Sequence, residues 1–280
     1  MNLKLLKKLC QLTQAQLLDI MADYLRRYYD KVIVTSNYIV AEGQLPVALV
    51  AHLDTVGKVP PQDIYYDQEK TIMWSPQLLG ADDRAGVFAI INIIQDGYRP
   101  HIIFTCDEEI GCVGAMTLAQ DCKGKSPFKK LKALIQLDRR GEDDSVYYDC
   151  DNKKFEKFIN SYGFITNLGT FSDISVLGPT FGVAAVNLSI GYLNEHNPIE
   201  TLNTTWMETT IEKVKNIIID IDSYEIFKYI KSKNGYYPLF TPISFDEKTC
   251  PFCGGPMTKK NKVYTRDGFY LCKKCYKECY

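Results

Sequence analysis

Four continuous apolar runs stand out along the chain, and each is followed by acidic or imidazole side chains. A run of this length with β-branched residues is typical of a strand that is buried on both faces. The predicted strands cover residues 47–51, 101–105, 131–137 and 182–190. Helical patterns lie between them. Buried strands that alternate with helices predict an α/β fold, in which helices flank a mixed, mainly parallel sheet.

The remaining elements follow from amphipathic spacing and turn residues. Thr13 and Gln16 predict a capping box before a helix that ends near residue 29. A β-hairpin is predicted over 31–41 and a short strand pair over 64–74. Further helices are predicted over 82–96, 111–120 and 205–221. Either Asp82 or Asp83 caps the first of these three helices.

Composition narrows the class of protein. The chain has 280 residues, 46% of them hydrophobic and 24% charged, which suits one large globular domain with an appendage. A formal net charge of −1 gives no support for wholesale binding to nucleic acid or to an anionic membrane. No apolar run approaches the roughly 20 residues of a membrane span. Lys and Leu alternate at helical spacing near the N-terminus, which is a poor secretory signal.

The polar groups after the strands are the candidate chemistry. His52 and Asp54 are two residues apart, so their side chains point to the same side at the carboxyl end of a strand, where open α/β sheets bind ligands. Seven ionisable groups in such positions would repel one another unless cations offset them. They are His52, Asp54, Asp82, Glu108, Glu109, Asp138 and His196. Carboxylate and imidazole donors suit Zn²⁺, Co²⁺ or Mn²⁺, and so many of them favour a pair of ions that activates one water.

Five segments of the chain resemble the co-catalytic zinc exopeptidases, the clan that holds the M20, M28 and M42 peptidases. These segments, in the family's order, are HLDTV, GADDRAG, DEEIG, LDRR and NLSIGYLNEHNPIE. The resemblance covers about residues 15–220. It implies a metal-dependent hydrolase that cleaves an amide bond at a peptide terminus.

The resemblance also implies a role for each ligand. His52 and Asp138 would bind one zinc ion, Glu109 and His196 would bind the second, and Asp82 would bridge both. These two ions are expected to be zinc, with cobalt or manganese as alternatives.

Two further roles follow from the same resemblance. Asp54 would orient His52, and Glu108 would be the general base that takes a proton from the bridging water. Adjacent residues of a strand point apart, so Glu108 and Glu109 need a turn, which Gly111 allows.

One departure from the family guides the choice of substrate. Only about thirty residues separate Asp138 from Thr170, too few for the lid domain of many M20 members. This favours a single-domain, M28-like aminopeptidase over an N-deacylase or carboxypeptidase of the same clan. The expected substrate is a peptide or an N-acyl amino acid, and Ser172, Asp173, Tyr192 and Asn194 are candidates for contacting it.

The C-terminal segment predicts a separate zinc site. Two CxxC pairs, about eighteen residues apart, read as a closed tetrahedral Zn ribbon, with a rubredoxin-like iron site as the minor alternative. The four ligands are Cys250, Cys253, Cys272 and Cys275. We therefore divide the chain into a catalytic domain, 1–245, and a ribbon, 246–280, and expect about three zinc ions per chain.

The cysteine pattern and the ribbon lead to two further expectations. Of the ten cysteines, those outside the ribbon are scattered singly, which favours a reducing compartment and hence the cytoplasm. A ribbon can bind protein or nucleic acid, so an adaptor that acts through the ribbon is the alternative from another functional class.

Overall fold

The structure is a computed structural model that describes residues 1–232, 256–258, 261–264, 270–274 and 277. The chain divides into two compact units, Met1–Tyr236 and Tyr237–Tyr280. The helices of the first unit are α1 (Leu3–Cys10), α2 (Gln14–Leu25), α3 (Ala81–Gln95), α4 (Val113–Asp121), α5 (Lys153–Asn160), α6 (Asp173–Phe181) and α7 (Thr204–Asp220). A short 3₁₀ turn, Ile221–Ser223, follows α7.

The strands of the first unit form two sheets. The large sheet contains β1 (Val32–Val34), β2 (Tyr38–Ala41), β3 (Leu45–His52), β6 (Pro100–Thr105), β7 (Ala133–Arg139), β8 (Asp144–Val146), β9 (Ile165–Thr166) and β10 (Ala185–Ser189). The small sheet contains β4 (Tyr65–Tyr66), β5 (Ile72–Trp74), β11 (Tyr192–Leu193) and β12 (Thr201–Asn203).

The large sheet has the order β1-β2-β6-β3-β7-β10-β8-β9. Its four central strands, β6, β3, β7 and β10, run parallel, whereas β1, β2 and β8 pair antiparallel to their inner neighbours. This is the mixed, mainly parallel sheet with flanking helices that the sequence predicts. The parallel strands place the residues that follow β3, β6 and β7 at one edge of the sheet.

Local sequence signals account for several elements. Thr13 and Gln16 form the predicted capping box at the start of α2, although the helix ends at Leu25 rather than near residue 29. The predicted hairpin is present as β1 and β2. Strand β7 runs two residues farther than predicted, so Asp138 lies within it rather than after it.

Helix α3 lies unusually close to the central strands at its first turn. A Cβ atom on Gly86 would lie 2.2 Å from the carbonyl oxygen of Leu137 and 2.5 Å from Asp83 Oδ1. Any larger residue would push the helix away from β7. Glycine at this position therefore allows the segment 80–86 to approach the strand that carries Asp138.

Arg84, in the first turn of α3, is a buried charged residue. Its guanidinium donates hydrogen bonds to the carbonyl oxygens of Leu9, Leu12 and Leu53. These bonds join the connection between α1 and α2 to the loop after β3. The buried cation thus stabilises the loop on which Asp54 lies.

The second unit contains a two-stranded hairpin, β13 (Lys262–Tyr264) with β14 (Tyr270–Cys272). Cys272 is buried. The other three predicted ribbon ligands, Cys250, Cys253 and Cys275, lie outside the described residues, so the ribbon stays a prediction. Among the helices described in the two units, none is long and apolar enough to cross a membrane.

Candidate metal centre

The carboxylate of Asp82 lies between the two imidazoles that the sequence singled out. Its Oδ1 atom is 3.0 Å from His52 Nε2, and its Oδ2 atom is 3.2 Å from His196 Nε2. Asp82 belongs to the first turn of α3, which is irregular, whereas His52 ends β3 and His196 lies in the loop after β11. Each oxygen of one carboxylate thus faces a different imidazole.

Two further carboxylates complete the cluster, one on each side of Asp82. Asp138 Oδ1 is 3.4 Å from His52 Nε2, and Glu109 Oε2 is 3.0 Å from His196 Nε2. All five residues predicted as metal ligands in the catalytic domain therefore meet at one place. They form two groups that share Asp82.

Asp54 lies behind this cluster and organises the loop that carries Glu108 and Glu109. Its two oxygens accept the backbone N–H groups of Glu108 and Glu109, each at 3.0 Å, and Oδ1 is 3.3 Å from His52 Nδ1. One carboxylate therefore contacts both the imidazole of β3 and the turn after β6.

The loop after β6 turns sharply, as the adjacent glutamates require. Asp107, Gly111 and Cys112 all have positive φ, and the N–H groups of Gly111 and Cys112 both donate to the carbonyl oxygen of Glu108. Glu108 lines a cavity of about 110 Å³ together with Asp82, Asp138 and His196. Its Oε1 is 3.5 Å from Cys112 Sγ.

Asp138 is held by polar groups of three neighbouring elements. Its Oδ2 accepts a hydrogen bond from Gln136 Nε2 at 2.9 Å and lies 3.2 Å from Ser172 Oγ. The Tyr192 hydroxyl is 3.2 Å from Oδ1, and the backbone N–H of Asp138 donates to Asn187 Oδ1. Ser172 and Tyr192 are buried and hold Asp138, and Tyr192 also lines the cavity that contains Glu108.

Two more aspartates lie close by, with different partners. Asp83 accepts the N–H groups of His52 and Gly86 at 3.2 and 3.0 Å, so it caps the regular part of α3. Asp173 is buried at the start of α6 and accepts a hydrogen bond from the Thr105 hydroxyl. Burial raises the pKa of Asp173 to about 6. Burial raises the pKa of Asp83 well above its usual value, and one of its oxygens lies within 4.8 Å of donor atoms of His52 and Asp138.

The electrostatics of the centre reflect burial and mutual pairing. Burial lowers the pKa of His52. The interactions of its ring with three carboxylates have the larger effect and raise this pKa well above its usual value; they come from Asp138, Asp54 and Asp82. Hydrogen bonds with Asp82 and Glu109 raise the pKa of His196 to about 10. Without a cation, the imidazoles are therefore the positive partners of the carboxylates.

The pKa values of the carboxylates in the centre are shifted in opposite directions. Burial raises the pKa of Asp82, yet hydrogen bonds with His196 and His52 hold it below its usual value. Burial raises the pKa of Asp138 to about 7 and that of Glu108 to about 9. Such a concentration of perturbed groups in one cleft is typical of a functional site.

Glu200 is a residue of this site that the sequence analysis did not single out. Its buried carboxylate accepts the backbone N–H groups of Gly80 and Asp82 at 2.7 and 3.0 Å. The residue lies in the segment that carries His196, but nothing in the local pattern indicates a partner more than a hundred positions away.

Comparisons with known proteins bear on the fold and on the class of protein. Residues 32–163, just under half of the chain, match the model of Peptidase family M28. No curated protein matches the chain. The crystal structure of aminopeptidase PepT from Bacillus cereus is similar, with a TM-score of 0.62 and 14% identity over 79% of this chain and 98% of that one.

Two archaeal structures are similar as well. A TET aminopeptidase from a marine-sediment Thaumarchaeota archaeon has a TM-score of 0.60 and 15% identity, over 77% of this chain and 96% of that one. The Pyrococcus horikoshii TET1 peptidase, which can assemble into a tetrahedron or a large octahedral shell, has a TM-score of 0.54 and 14% identity over 77% and 98%.

The family match and the shared fold confirm the predicted resemblance to the co-catalytic zinc exopeptidases. They define the class of this protein as a metallopeptidase. The match covers β1 through α5, and thus includes the segments with His52, Asp82, Glu108, Glu109 and Asp138.

Proposed function

We propose that the protein is a metal-dependent aminopeptidase, which hydrolyses the amide bond after the first residue of a peptide. The observation that carries the proposal is the arrangement around Asp82, whose two oxygens face His52 and His196 beside the carboxylate of Glu108. An N-deacylase or carboxypeptidase of the same clan is the alternative.

The donor set fits two divalent cations, which we propose are zinc, with cobalt or manganese as alternatives. Asp82 Oδ1 and Asp138 Oδ1 both lie within 3.4 Å of His52 Nε2, and a single N–H cannot serve two carboxylates equally. One ion would be held by His52, Asp138 and Asp82, and the other by Asp82, His196 and Glu109. When bound, such a pair activates water and polarises a carbonyl group.

Glu108 is the proposed general base. Burial raises its pKa to about 9 without cations, and bound cations beside it would favour the ionised form that accepts a proton. It would take a proton from the attacking water and deliver that proton to the leaving amine as the amide C–N bond breaks. Its partly buried side chain lines the same cavity as Asp82 and Asp138, within reach of a bound substrate. Asp54 keeps the Glu108 backbone in place through the bond to its N–H.

Replacing Glu108→Gln tests this role. The variant keeps the volume and the metals but cannot take up the proton, so kcat should fall by about 10²–10⁴ on amino-acid anilides. The matched control is Asp107→Asn, because Asp107 is the preceding residue and bonds to Gln14 outside the cavity. A Glu108→Gln protein with bound metals and wild-type kcat would exclude the assignment.

Glu195 supports the choice of an aminopeptidase. Its Oε1 is 3.0 Å from Arg140 Nη1, whereas its Oε2 is buried at the cavity with no hydrogen-bond partner among the residues that the structure describes. A free carboxylate oxygen next to the proposed ligand His196 suits the ammonium group of a peptide N-terminus. An N-acyl substrate has no positive charge to offer there.

The substitution Glu195→Gln separates the two substrate classes. Loss of a charge-assisted hydrogen bond costs about 1.5–3 kcal/mol, so KM for a free-amine peptide should rise roughly 10–100-fold. Hydrolysis of the matching N-acetyl peptide, measured on the same preparations, should be weak and unchanged. If the wild type prefers the N-acetyl substrate, the deacylase alternative replaces the aminopeptidase.

The domain division and the ribbon belong to the same proposal. We infer a catalytic domain over 1–245 and a Cys₄ zinc ribbon over 246–280, which would bind a protein or nucleic acid. The hairpin β13–β14 and the buried Cys272 support a small folded unit in this segment.

The free thiols of Cys106 and Cys112 support a reducing compartment, and hence the cytoplasm.

A further inference from the structure

We infer that Glu200 is a positioning residue that sets the place of the Asp82 carboxylate, and thereby the affinity of the centre for its metals. This inference rests on the proposed function, since it assumes that Asp82 is shared by two ions.

The start of α3 has buried N–H groups that the helix itself cannot satisfy. The first N–H groups of any helix lack an intrahelical acceptor, and here the backbone is also irregular. Gly80 is left-handed with φ of 69°, and Asp82 has a non-helical ψ of 104°. Asp82 is buried, so water is a poor substitute for an acceptor at this position.

Glu200 supplies the missing acceptors from a distant part of the chain. Oε2 accepts the Gly80 N–H at 2.7 Å, and Oε1 accepts the Asp82 N–H at 3.0 Å. The side chain is only 1% exposed, so its two oxygens are committed to this turn. A carboxylate is also the favoured charge beside a helix N-terminus.

The same segment holds Asp82 at both its backbone and its side chain. His196 lies 3.2 Å from Asp82 Oδ2, and Glu200, four residues later, binds the Asp82 N–H. The N–H of Glu200 donates to the carbonyl oxygen of Asn197, which closes the turn between them. The loop after β11 thus acts as a clamp, and its two contacts fix the position of the shared carboxylate.

The variants Glu200→Gln and Glu200→Ala test the clamp in the full chain. Gln retains the volume but has one acceptor oxygen, so one of the two N–H groups would face an amide N–H₂ group. Ala removes both acceptors. Residues that orient metal ligands typically contribute 10–100-fold to metal affinity. We expect a loss in that range for Gln and a larger loss for Ala.

The measurement is a Co²⁺ titration of the metal-free protein, followed by visible absorption. Absorption of Co²⁺ bound to oxygen and nitrogen donors is distinct from thiolate-to-Co²⁺ charge transfer, so the centre is followed separately from any cysteine site. Peptidase activity at increasing Co²⁺ should recover in Glu200→Gln once the weaker sites are filled. A merely structural role would lower thermal stability and leave the Co²⁺ affinity of the folded protein unchanged.

The matched control is Asn152→Ala. Asn152 is also buried, and its side chain joins two backbone groups, the Phe155 N–H and the Lys228 carbonyl oxygen, without contact to the cluster. It should lower thermal stability yet leave Co²⁺ affinity unchanged. Wild-type Co²⁺ affinity in both Glu200 variants would overturn the clamp. Absence of oxygen- and nitrogen-bound Co²⁺ in the wild type would instead overturn the proposed function.

Discussion

The two ends of the β3–β6 strand pair carry the same residue type in opposite environments. His52 lies at the carboxyl end of β3, where Asp54, Asp82 and Asp138 surround the ring. His101 lies at the amino end of β6, where the ring stacks on Phe128 with a centroid distance of 4.2 Å. Both imidazoles are almost completely buried.

Their pKa values diverge for a physical reason. Three carboxylates raise the pKa of His52 against the effect of burial, whereas burial lowers the pKa of His101 to about 4. His101 Nδ1 also accepts the N–H of Gly43 at 3.0 Å, which requires a neutral ring nitrogen. Burial alone therefore makes a histidine structural, and converging carboxylates make it a candidate ligand.

The largest expected effect on activity comes from replacing each of these histidines in a separate variant. His52→Ala should remove one metal and lower kcat/KM by roughly 10³-fold or more, because a bound metal contributes several kcal/mol to the transition state. His101→Asn should leave both quantities close to wild type. Metal content by elemental analysis and anilide hydrolysis check this pair. An equal loss of metal and of kcat/KM in both variants would contradict the proposed difference between His52 and His101.

The low pKa of His101 predicts a pH dependence of the free energy of unfolding that His52 does not share. The pKa of His101 is about 4 in the folded protein and about 6.5 when unfolded, so the unfolded chain binds the proton first. The neutral ring therefore stabilises the fold above about pH 6.5, and this contribution is lost as the pH falls towards 4. The loss amounts to at most about 3 kcal/mol.

Urea unfolding of wild type and His101→Asn at several pH values between 4.5 and 7.5 measures this contribution. The variant keeps the carboxylates that also titrate in this range, so only the difference between the two slopes belongs to His101. We expect a flatter profile for the variant. Parallel profiles would show that the ring does not titrate as its surroundings indicate.

The smallest of the three effects concerns the residue behind His52. Asp54→Asn keeps the shape but weakens the acceptor for the Glu108 and Glu109 N–H groups and for the imidazole. Metal affinity or kcat/KM should fall 10–100-fold, as for other residues that orient a ligand imidazole. Co²⁺ titration and anilide kinetics measure this fall. Unchanged values in both would make Asp54 a simple turn residue.

The sequence predicted the parts of the molecule that depend on local patterns. Continuous apolar runs indicated β3, β6, β7 and β10, and the capping box at Thr13 and Gln16 is present as expected. The segment from Arg139 to Phe181 carries weaker local signals. Its strands β8 and β9 are only two or three residues long, and α6 contains Pro179, so neither periodicity nor propensity is strong there.

The sequence by itself indicated which residues could act as ligands, since each candidate lies close to the end of a predicted strand or to the start of a predicted helix. The candidates are His52, Asp82, Glu109, Asp138 and His196. Only the tertiary structure decided their pairing around Asp82 and the burial of Arg84. It also decided the hydrogen bond that the Asp82 N–H donates to Glu200, 118 positions away. Hydrophobic periodicity is a property of neighbours along the chain, whereas these contacts depend on how parallel strands and loops meet in space.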